Sequence, residues 1–317
     1  MSSPACPPVS DASPASAGIP RHAGDELLAA IAKVGIPVCV GLDPVLERIP
    51  AEVGGDDAAA RIERFSEGVI RAVAGLVPCV KIQSACYERY GSAGFASLER
   101  TMQHARESGL VTILDAKRGD IGVSSEHYAA ASRRAGADWT TCNGYLGDDG
   151  IAPFLAEGRG GFALVRTSNP SGDAFQNLPL ADGRTVADAM ADLVRTLGDR
   201  HVGASGFSTL GAVVGATKRS DAARLRERLP RQVFLVPGYG AQGGGIDDVL
   251  PCFRPDGRGA IVTASRSVLY PAGGGGDWRS AIARAAEAFH HEIRRGLGAW
   301  AATRGWRSRG SWRSSSR

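Results

Sequence analysis

The sequence has no apolar run long enough to cross a membrane, although 43% of its 317 residues are hydrophobic. A membrane-spanning helix needs about 20 consecutive, mostly apolar residues. The chain also lacks the charged and then apolar pattern of a secretory signal ahead of its first predicted helix. We therefore expect a globular, cytoplasmic protein that does not bind membranes.

Cysteine is scarce and scattered. The six cysteines occur singly, at positions 6, 39, 79, 86, 142 and 252. None of their spacings is that of a metal-binding motif, and Cys39, Cys79 and Cys142 lie in apolar, strand-like runs. This usage predicts small core residues in a reducing compartment and gives no sign of a metal site.

Positive charge is not concentrated on the body of the chain. The net charge is +4, and residues 304–317 alone contain five arginines and no acidic residue. The remainder is close to neutral and lacks the basic stripe that nucleic acids require, so we expect no nucleic-acid partner. We interpret 304–317 as a disordered basic tail and the Ser-, Pro- and Ala-rich residues 1–20 as a disordered leader, which leaves 21–303 as one domain.

Strand and helix patterns alternate through that domain. Apolar strand patterns occur at 37–43, 79–83, 111–117, 137–143, 161–168, 211–216, 233–238 and 259–266. Helical spacing occurs at 25–34, 58–73, 94–108, 126–135, 151–157, 187–197, 221–229, 246–251 and 278–302. Eight such units over about 280 residues predict a single (β/α)8 TIM barrel. A doubly wound open sheet is the alternative, but no glycine-rich phosphate loop follows the first strand.

The third strand carries the most informative stretch, residues 111–121. Asp115 and Lys117 are two residues apart and therefore point to the same side of a strand. Gly119 breaks the pattern, and Asp120 lies just past the strand end. A structural ion pair is one interpretation of these charges. Since polar clusters at the carboxyl ends of barrel strands form active sites, we favour a catalytic one.

Other predicted strands also end in polar residues. These are Asp43, Lys81, Asn143, Ser168, the glycine-rich loop 238–245 and Arg266. The loop offers open backbone N–H groups with Gln242 as a side-chain donor, and Arg266 adds a guanidinium. Loops after the seventh and eighth strands are where barrels bind phosphate, so we prefer a phosphate site to a mobile turn beside a surface arginine.

The motif Asp115-Ala-Lys117-Arg-Gly-Asp120 resembles the Asp-x-Lys-x-x-Asp signature of orotidine 5′-phosphate decarboxylases, in the form of their longer, type 2 bacterial subfamily. Four further segments are similar to motifs of that family, and the resemblance runs from about Asp25 to Ala302. It implies catalytic roles for Lys117, Asp115, Lys81 and Asp120. It implies substrate contacts for Asp43, Ser124, Ser168, Gln242, Gly243 and Arg266.

The same resemblance implies what these residues contact. Asp43 and Ser124 would meet the ribose, Ser168 the pyrimidine, and the loop with Arg266 the phosphate. Asp120 would reach the site of a neighbouring subunit, which implies a homodimer. Ser124 stands where the family often has Thr and keeps the hydroxyl, whereas Gly144 stands where Pro is expected.

The implied activity is conversion of orotidine 5′-phosphate to uridine 5′-phosphate and CO₂ in pyrimidine synthesis, with Lys117 as proton donor and no cofactor. One alternative is a Mg²⁺-dependent sugar-phosphate decarboxylase or aldolase of the same superfamily. Those enzymes have an acidic metal ligand where this chain has Lys81, which would repel the ion. The other alternative is a non-catalytic barrel that binds a phosphate ligand, and the complete set of charged residues argues against it.

Overall fold

The computed structural model describes residues 21–240, 243–272 and 277–303. The predicted leader, the predicted tail and Gln242 lie outside the described residues. The described strands are β1 (Val38–Leu42), β2 (Cys79–Gln83), β3 (Val111–Arg118), β4 (Trp139–Cys142), β5 (Gly160–Arg166), β6 (Leu210–Val214), β7 (Phe234–Val236) and β8 (Ala260–Ala264). Each pairs in parallel with the next, and β8 pairs with β1, so the sheet closes into the predicted (β/α)8 barrel.

Helices follow most of the strands. The described helices of ten or more residues are α1 (Ala23–Val34), α2 (Ala58–Val73), α3 (Gly91–Glu107), α4 (Gly122–Arg134), α5 (Val186–Gly198), α6 (Arg219–Arg228) and α7 (Trp278–Thr303). One-turn helices are Ala85–Glu88, Asp173–Gln176, Ile246–Val249 and Arg266–Leu269. The 3₁₀ segments are Leu46–Arg48, Gly144–Leu146, Ala152–Gly158, Pro170–Gly172, Asp199–His201 and Leu250–Cys252. Among the described helices, none combines the length and the apolar character needed to cross a lipid bilayer.

The helix expected at 151–157 is present as a 3₁₀ segment and not as a regular α-helix. The segment Ala152–Gly158 is 3₁₀, with Pro153 in its first turn. Ala156 has extended backbone angles and Glu157 has a φ of 57°, so the helix cannot continue into β5. The helix expected at 246–251 is also shorter, because it ends at Val249 and continues as a 3₁₀ turn.

The lower half of the barrel interior is apolar and closely packed. Trp139 on β4 stacks on Phe162 on β5, with ring centroids 4.4 Å apart. These rings fit because their neighbours are glycines: a Cβ on Gly160 would lie 2.2 Å from the Trp139 ring, and one on Gly211 would lie 2.5 Å from Phe162. Buried side chains of α1 pack against the same cluster, so this helix covers the end of the barrel where the strands begin.

Charged side chains occupy the barrel interior near the carboxyl ends of the strands. On β2, buried Cys79 is followed two residues later by Lys81, and on β3, buried Ile113 is followed by Asp115. Because alternate residues of a strand share a face, each strand continues from an apolar floor to a charged side chain on the same side. The sequence of these two strands therefore directs the charged groups to the carboxyl-terminal mouth of the barrel.

Candidate active site

A cavity of about 420 Å³ opens at the carboxyl ends of the strands. Its lining residues come from all eight strands or the loops after them: Asp43, Lys81, Gln83, Asp115, Lys117, Thr141, Leu164, Thr167, Ser168, Asn169, Val213, Leu235, Pro237, Gly238, Tyr239, Thr263, Ser265 and Arg266. Six predicted site residues meet here: Asp43, Lys81, Asp115, Lys117, Ser168 and Arg266. The cavity lies at the carboxyl-terminal face of the barrel, where (β/α)8-barrel enzymes have their active sites.

Four of the predicted residues form a row of alternating charge. Lys81 Nζ lies 2.7 Å from Asp115 Oδ2 and 3.5 Å from Asp43 Oδ1. Lys117 Nζ lies 2.6 Å from Asp115 Oδ1. Lys81 and Asp115 are buried, whereas the side chain of Lys117 is 46% exposed and faces the cavity mouth. Each buried charge thus has an opposite charge in contact, which offsets its desolvation.

The buried pair of Lys81 and Asp115 at the centre of the row stays ionised. Burial alone would raise the pKa of Asp115, but the ammonium groups of Lys81 and Lys117 outweigh burial and hold this pKa well below its usual range. Burial would lower the pKa of Lys81, but the carboxylates of Asp43 and Asp115 hold it above its usual range. The centre of the site is therefore a fixed array of charges at neutral pH.

Thr141 on β4 is a site residue that sequence patterns did not indicate. It is 1% exposed, its hydroxyl donates to Asp115 Oδ1 at 2.9 Å, and it accepts the backbone N–H of Lys117 at 2.9 Å. Asn143, the polar residue predicted at the end of this strand, lies just past it. Its side chain accepts the N–H of Tyr145 and does not line the cavity. The signal that could have found Thr141 is its two-residue offset from Trp139, which faces the interior.

The cavity also has an apolar side that sequence patterns did not separate from the core. Leu164 on β5, Val213 on β6 and Leu235 on β7 line it. Each lies in an apolar strand run, so its residue type alone does not distinguish a cavity wall from core packing. The charged row therefore faces an apolar wall. The low local dielectric makes the charge interactions within the row stronger than they would be in water.

The loops after β7 and β8 meet at one edge of the cavity. Gly238, Tyr239, Ser265 and Arg266 all line it, and Arg266 is the first residue of the one-turn helix after β8. A Cβ on Gly41 would lie 2.0 Å from Ser265 Oγ, so the glycine on β1 makes room for this loop. The predicted phosphate site thus corresponds to two adjoining loops. One exposes its backbone to the cavity at Gly238, and the other contributes the guanidinium of Arg266.

Gly243, another residue of the predicted phosphate loop, lies away from the cavity. Gly243 has a φ of 90°, and its N–H closes a turn on the carbonyl of Gly240 at 2.8 Å. It does not line the cavity as described. A phosphate contact of Gly243 stays a prediction.

The loop after β5 presents Thr167 and Ser168 to the cavity. Arg166, 2% exposed, anchors it by pairing with Asp173 and with Asp221 on α6, each at 2.7 Å. Gln176 closes the loop by accepting the Thr167 N–H at 2.9 Å. The loop that carries Ser168 is therefore fixed from beneath by the ion pairs of a buried arginine.

Asp120 and Ser124 do not line the cavity of their own barrel. Asp120 follows β3 and accepts the backbone N–H of Ile121 at 2.8 Å. Ser124 lies on the exposed surface of the first turn of α4. Nearby, Ile121 is 56% exposed and Val123 is 64% exposed. Two predicted site residues thus lie beside an exposed apolar surface.

No group of three or more His, Cys, Asp and Glu side chains that could hold a metal ion occurs within residues 21–240, 243–272 and 277–303. The charged row itself presents an ammonium group, Lys81, between the carboxylates of Asp43 and Asp115. Together with Lys117, this lysine balances the charge of the two acidic side chains.

Comparisons with known proteins identify the family of the chain. Residues 37–273 match the model of the orotidine 5′-phosphate decarboxylase / HUMPS family. Orotidine 5′-phosphate decarboxylase of Rhodopirellula baltica is 41% identical over 264 residues, covering 77% of this chain and 87% of the relative. The Verminephrobacter eiseniae decarboxylase is 42% identical over 264 residues, covering 81% and 92%.

A solved structure shows the same likeness in three dimensions. Leishmania donovani OMP decarboxylase superimposes with a TM-score of 0.72 at 27% identity, over 87% of this chain and 99% of that one. The sequence matches and the shared barrel lead to one conclusion. The chain belongs to the orotidine 5′-phosphate decarboxylase / HUMPS family, as an enzyme of the carboxy-lyase class.

Proposed function

We propose that this protein decarboxylates orotidine 5′-phosphate to uridine 5′-phosphate and CO₂, the last step of de novo pyrimidine synthesis, with Lys117 as proton donor and no cofactor. One observation carries the proposal: the alternating row of Asp43, Lys81, Asp115 and Lys117 lies in a cavity that also contains Arg266. The relatives of 36–42% identity bear the name of this activity.

Lys117 is suited to the chemical step. Breaking the bond between the carboxylate and its ring carbon leaves an electron pair on that carbon. A positioned ammonium group stabilises the developing negative charge and then gives the carbon a proton. Lys117 is at the exposed end of the row, so its ammonium group is more accessible to a substrate in the cavity than that of Lys81.

Asp115 and Lys81 are suited to hold that ammonium in place. Asp115 contacts both lysines, and its low pKa keeps it anionic beside the substrate. Lys81, between two carboxylates, prevents their mutual repulsion from displacing them. Because Lys81 occupies the space between the acidic side chains, the row balances its own charge without a metal ion.

The rest of the substrate has matching contacts. Asp43 lines the cavity and its side chain is 33% exposed, which leaves it open to a ribose hydroxyl. Ser168 would contact the pyrimidine, and Arg266 with the loop after β7 would bind the phosphate, Gln242 and Gly243 included. Phosphate binding far from the reacting carbon supplies binding energy that the transition state can use.

We further propose a homodimer in which Asp120 completes the neighbouring site. Asp120 and Ser124 do not line their own cavity, and the side chains of Ile121 and Val123 beside them are exposed and apolar. Burying such a surface against a second copy removes apolar area from water and carries Asp120 and Ser124 toward the partner's cavity.

The proposed function is tested by following the absorbance of orotidine 5′-phosphate with purified protein, with and without a chelator. We expect substrate loss at the same rate in both. Loss that stops on chelation and returns with Mg²⁺ would indicate the metal-dependent alternative. Binding of the nucleotide without loss of absorbance would indicate a non-catalytic barrel.

A further inference from the structure

The strand that carries the charged row is irregular at its end. The register between β3 and β4 shifts between Leu114 and Arg118. Within this shift Lys117 has a φ of 46°, in the left-handed region that a residue with a Cβ rarely adopts. Such a conformation persists only where surrounding contacts hold it, and bulges near active sites redirect side chains. Something must therefore hold the Lys117 backbone.

Thr141 supplies that contact from the neighbouring strand. Its hydroxyl accepts the N–H of Lys117 at 2.9 Å, where the shifted register interrupts the ladder between β3 and β4. The same hydroxyl donates to Asp115 Oδ1 at 2.9 Å, and this oxygen also accepts from Lys117 Nζ at 2.6 Å. One buried hydroxyl thus joins the backbone of Lys117 to the carboxylate that holds its ammonium group.

The direction of these bonds is determined by chemistry. The ionised carboxylate of Asp115 can only accept and a backbone N–H can only donate, so the single hydroxyl hydrogen of Thr141 must point to Asp115. Valine has nearly the same shape but can make neither bond. Serine keeps both bonds and removes only a methyl group.

We propose that Thr141 is the positioning residue of the proton donor. It acts through Lys117 and Asp115 by fixing the left-handed turn from which the ammonium reaches back to the carboxylate. This inference rests on the proposed function for its kinetic consequences, but not for its structural ones. Misplacement of a reacting group by about 1 Å costs on the order of 100-fold in rate, so loss of Thr141 acts on turnover more than on substrate binding.

The kinetic test compares Thr141→Val, Thr141→Ser and Thr140→Val with the parent enzyme. Thr140 is the matched control, because it is buried on the same strand and does not line the cavity. We expect Thr141→Val to lower kcat roughly 10- to 100-fold with little change in KM. Thr141→Ser should restore most of the rate, and Thr140→Val should resemble the parent. A parental kcat in Thr141→Val, or equal losses in the valine and serine variants, would overturn the proposal.

A second readout does not depend on activity. Amide hydrogen exchange at Lys117 reports the bond from its N–H to Thr141. We expect slow exchange in the parent and in Thr141→Ser, and fast exchange in Thr141→Val or, if that variant does not fold, in Thr141→Ala. Fast exchange already in the parent, or slow exchange without the hydroxyl, would overturn the inference. A parent with a protected Lys117 amide and no decarboxylation would instead refute the proposed function and leave the anchoring role of Thr141 supported.

Discussion

Lys81 and Asp115 form a diagonal ion pair across two barrel strands. The register between β2 and β3 places Lys81 opposite Ile113 and Gln83 opposite Asp115, yet Lys81 Nζ reaches Asp115 Oδ2 at 2.7 Å. Diagonal neighbours on one face lie within reach of a long side chain. Because both groups are buried, this pair couples the folding of the barrel to the electrostatics of its site.

Replacing Asp115 by Asn should destabilise the protein. The variant leaves the buried ammonium of Lys81 with only Asp43, 3.5 Å away, and removes the group that separates it from Lys117. Breaking a buried ion pair by removing one partner costs about 3–5 kcal/mol. Guanidinium unfolding of parent and variant should show this difference at pH 7. Asp182→Asn, which alters an exposed pair with Arg184, is the control and should leave the unfolding midpoint unchanged.

The stability difference between the parent and Asp115→Asn should depend on pH in a defined direction. The folded-state pKa of Asp115 is lowered, so its contribution is complete above the unfolded pKa of about 3.9 and is lost as the pH falls through the folded value. The pKa of Lys81 is raised, so the contribution of Lys81 is complete below about pH 10. The difference should therefore be constant from pH 5 to pH 9 and shrink below pH 4. A difference that shrinks between pH 5 and pH 7 would contradict the pKa shift of Asp115.

Arg266→Ala tests the phosphate site. Loss of a charge-assisted contact to phosphate should cost about 2–4 kcal/mol in kcat/KM. The penalty should be large with orotidine 5′-phosphate and disappear with orotidine, which has no phosphate. Arg195→Ala, an exposed arginine on α5, should behave as the parent with both. An equal penalty with both substrates would show that Arg266 does not act through the phosphate.

Mixing two inactive variants tests whether Asp120 acts across subunits. Lys117→Ala and Asp120→Ala homodimers should each be nearly inactive. After subunit exchange about half of the dimers are mixed, and each rebuilds one of its two sites, so about a quarter of the parental activity should return.

The matched control for this mixing experiment is a pair of variants within one barrel. Lys81→Ala mixed with Lys117→Ala should recover nothing, because both lysines line the cavity of the same chain. Background activity in the Lys117→Ala and Asp120→Ala mixture, with exchange demonstrated by a mass-tagged subunit, would place Asp120 in its own barrel.

Much of the site could be predicted from the sequence because it consists of charged residues within otherwise apolar strands. Lys81 and Asp115 stand out as charges within apolar strands, and the predicted barrel brings strand ends together. The prediction that Asp115 and Lys117 share a side is confirmed by their 2.6 Å contact. The reason is different, since Lys117 leaves regular strand geometry and its side chain returns through a left-handed turn.

The residues of the site that were not predicted depend on the register between neighbouring strands. The sequence of a single strand does not determine this register. Thr141 has the residue type of an ordinary strand residue, and only the shift between β3 and β4 brings its hydroxyl to the Lys117 backbone. A Cβ on Gly119 would lie 3.2 Å from the Cβ of Asn143, so this glycine makes room for the neighbouring loop, which the sequence of β3 alone does not indicate.

Delivery of a proton by Lys117 to the carbon from which CO₂ departs is tested most directly by NMR of the nucleotide formed from orotidine 5′-phosphate in D₂O. We expect uridine 5′-phosphate with one deuterium at the ring carbon that carried the carboxylate, formed by the parent and not by Lys117→Ala. Unchanged orotidine 5′-phosphate with the parent, or the same product at the same rate with Lys117→Ala, would refute this role of Lys117.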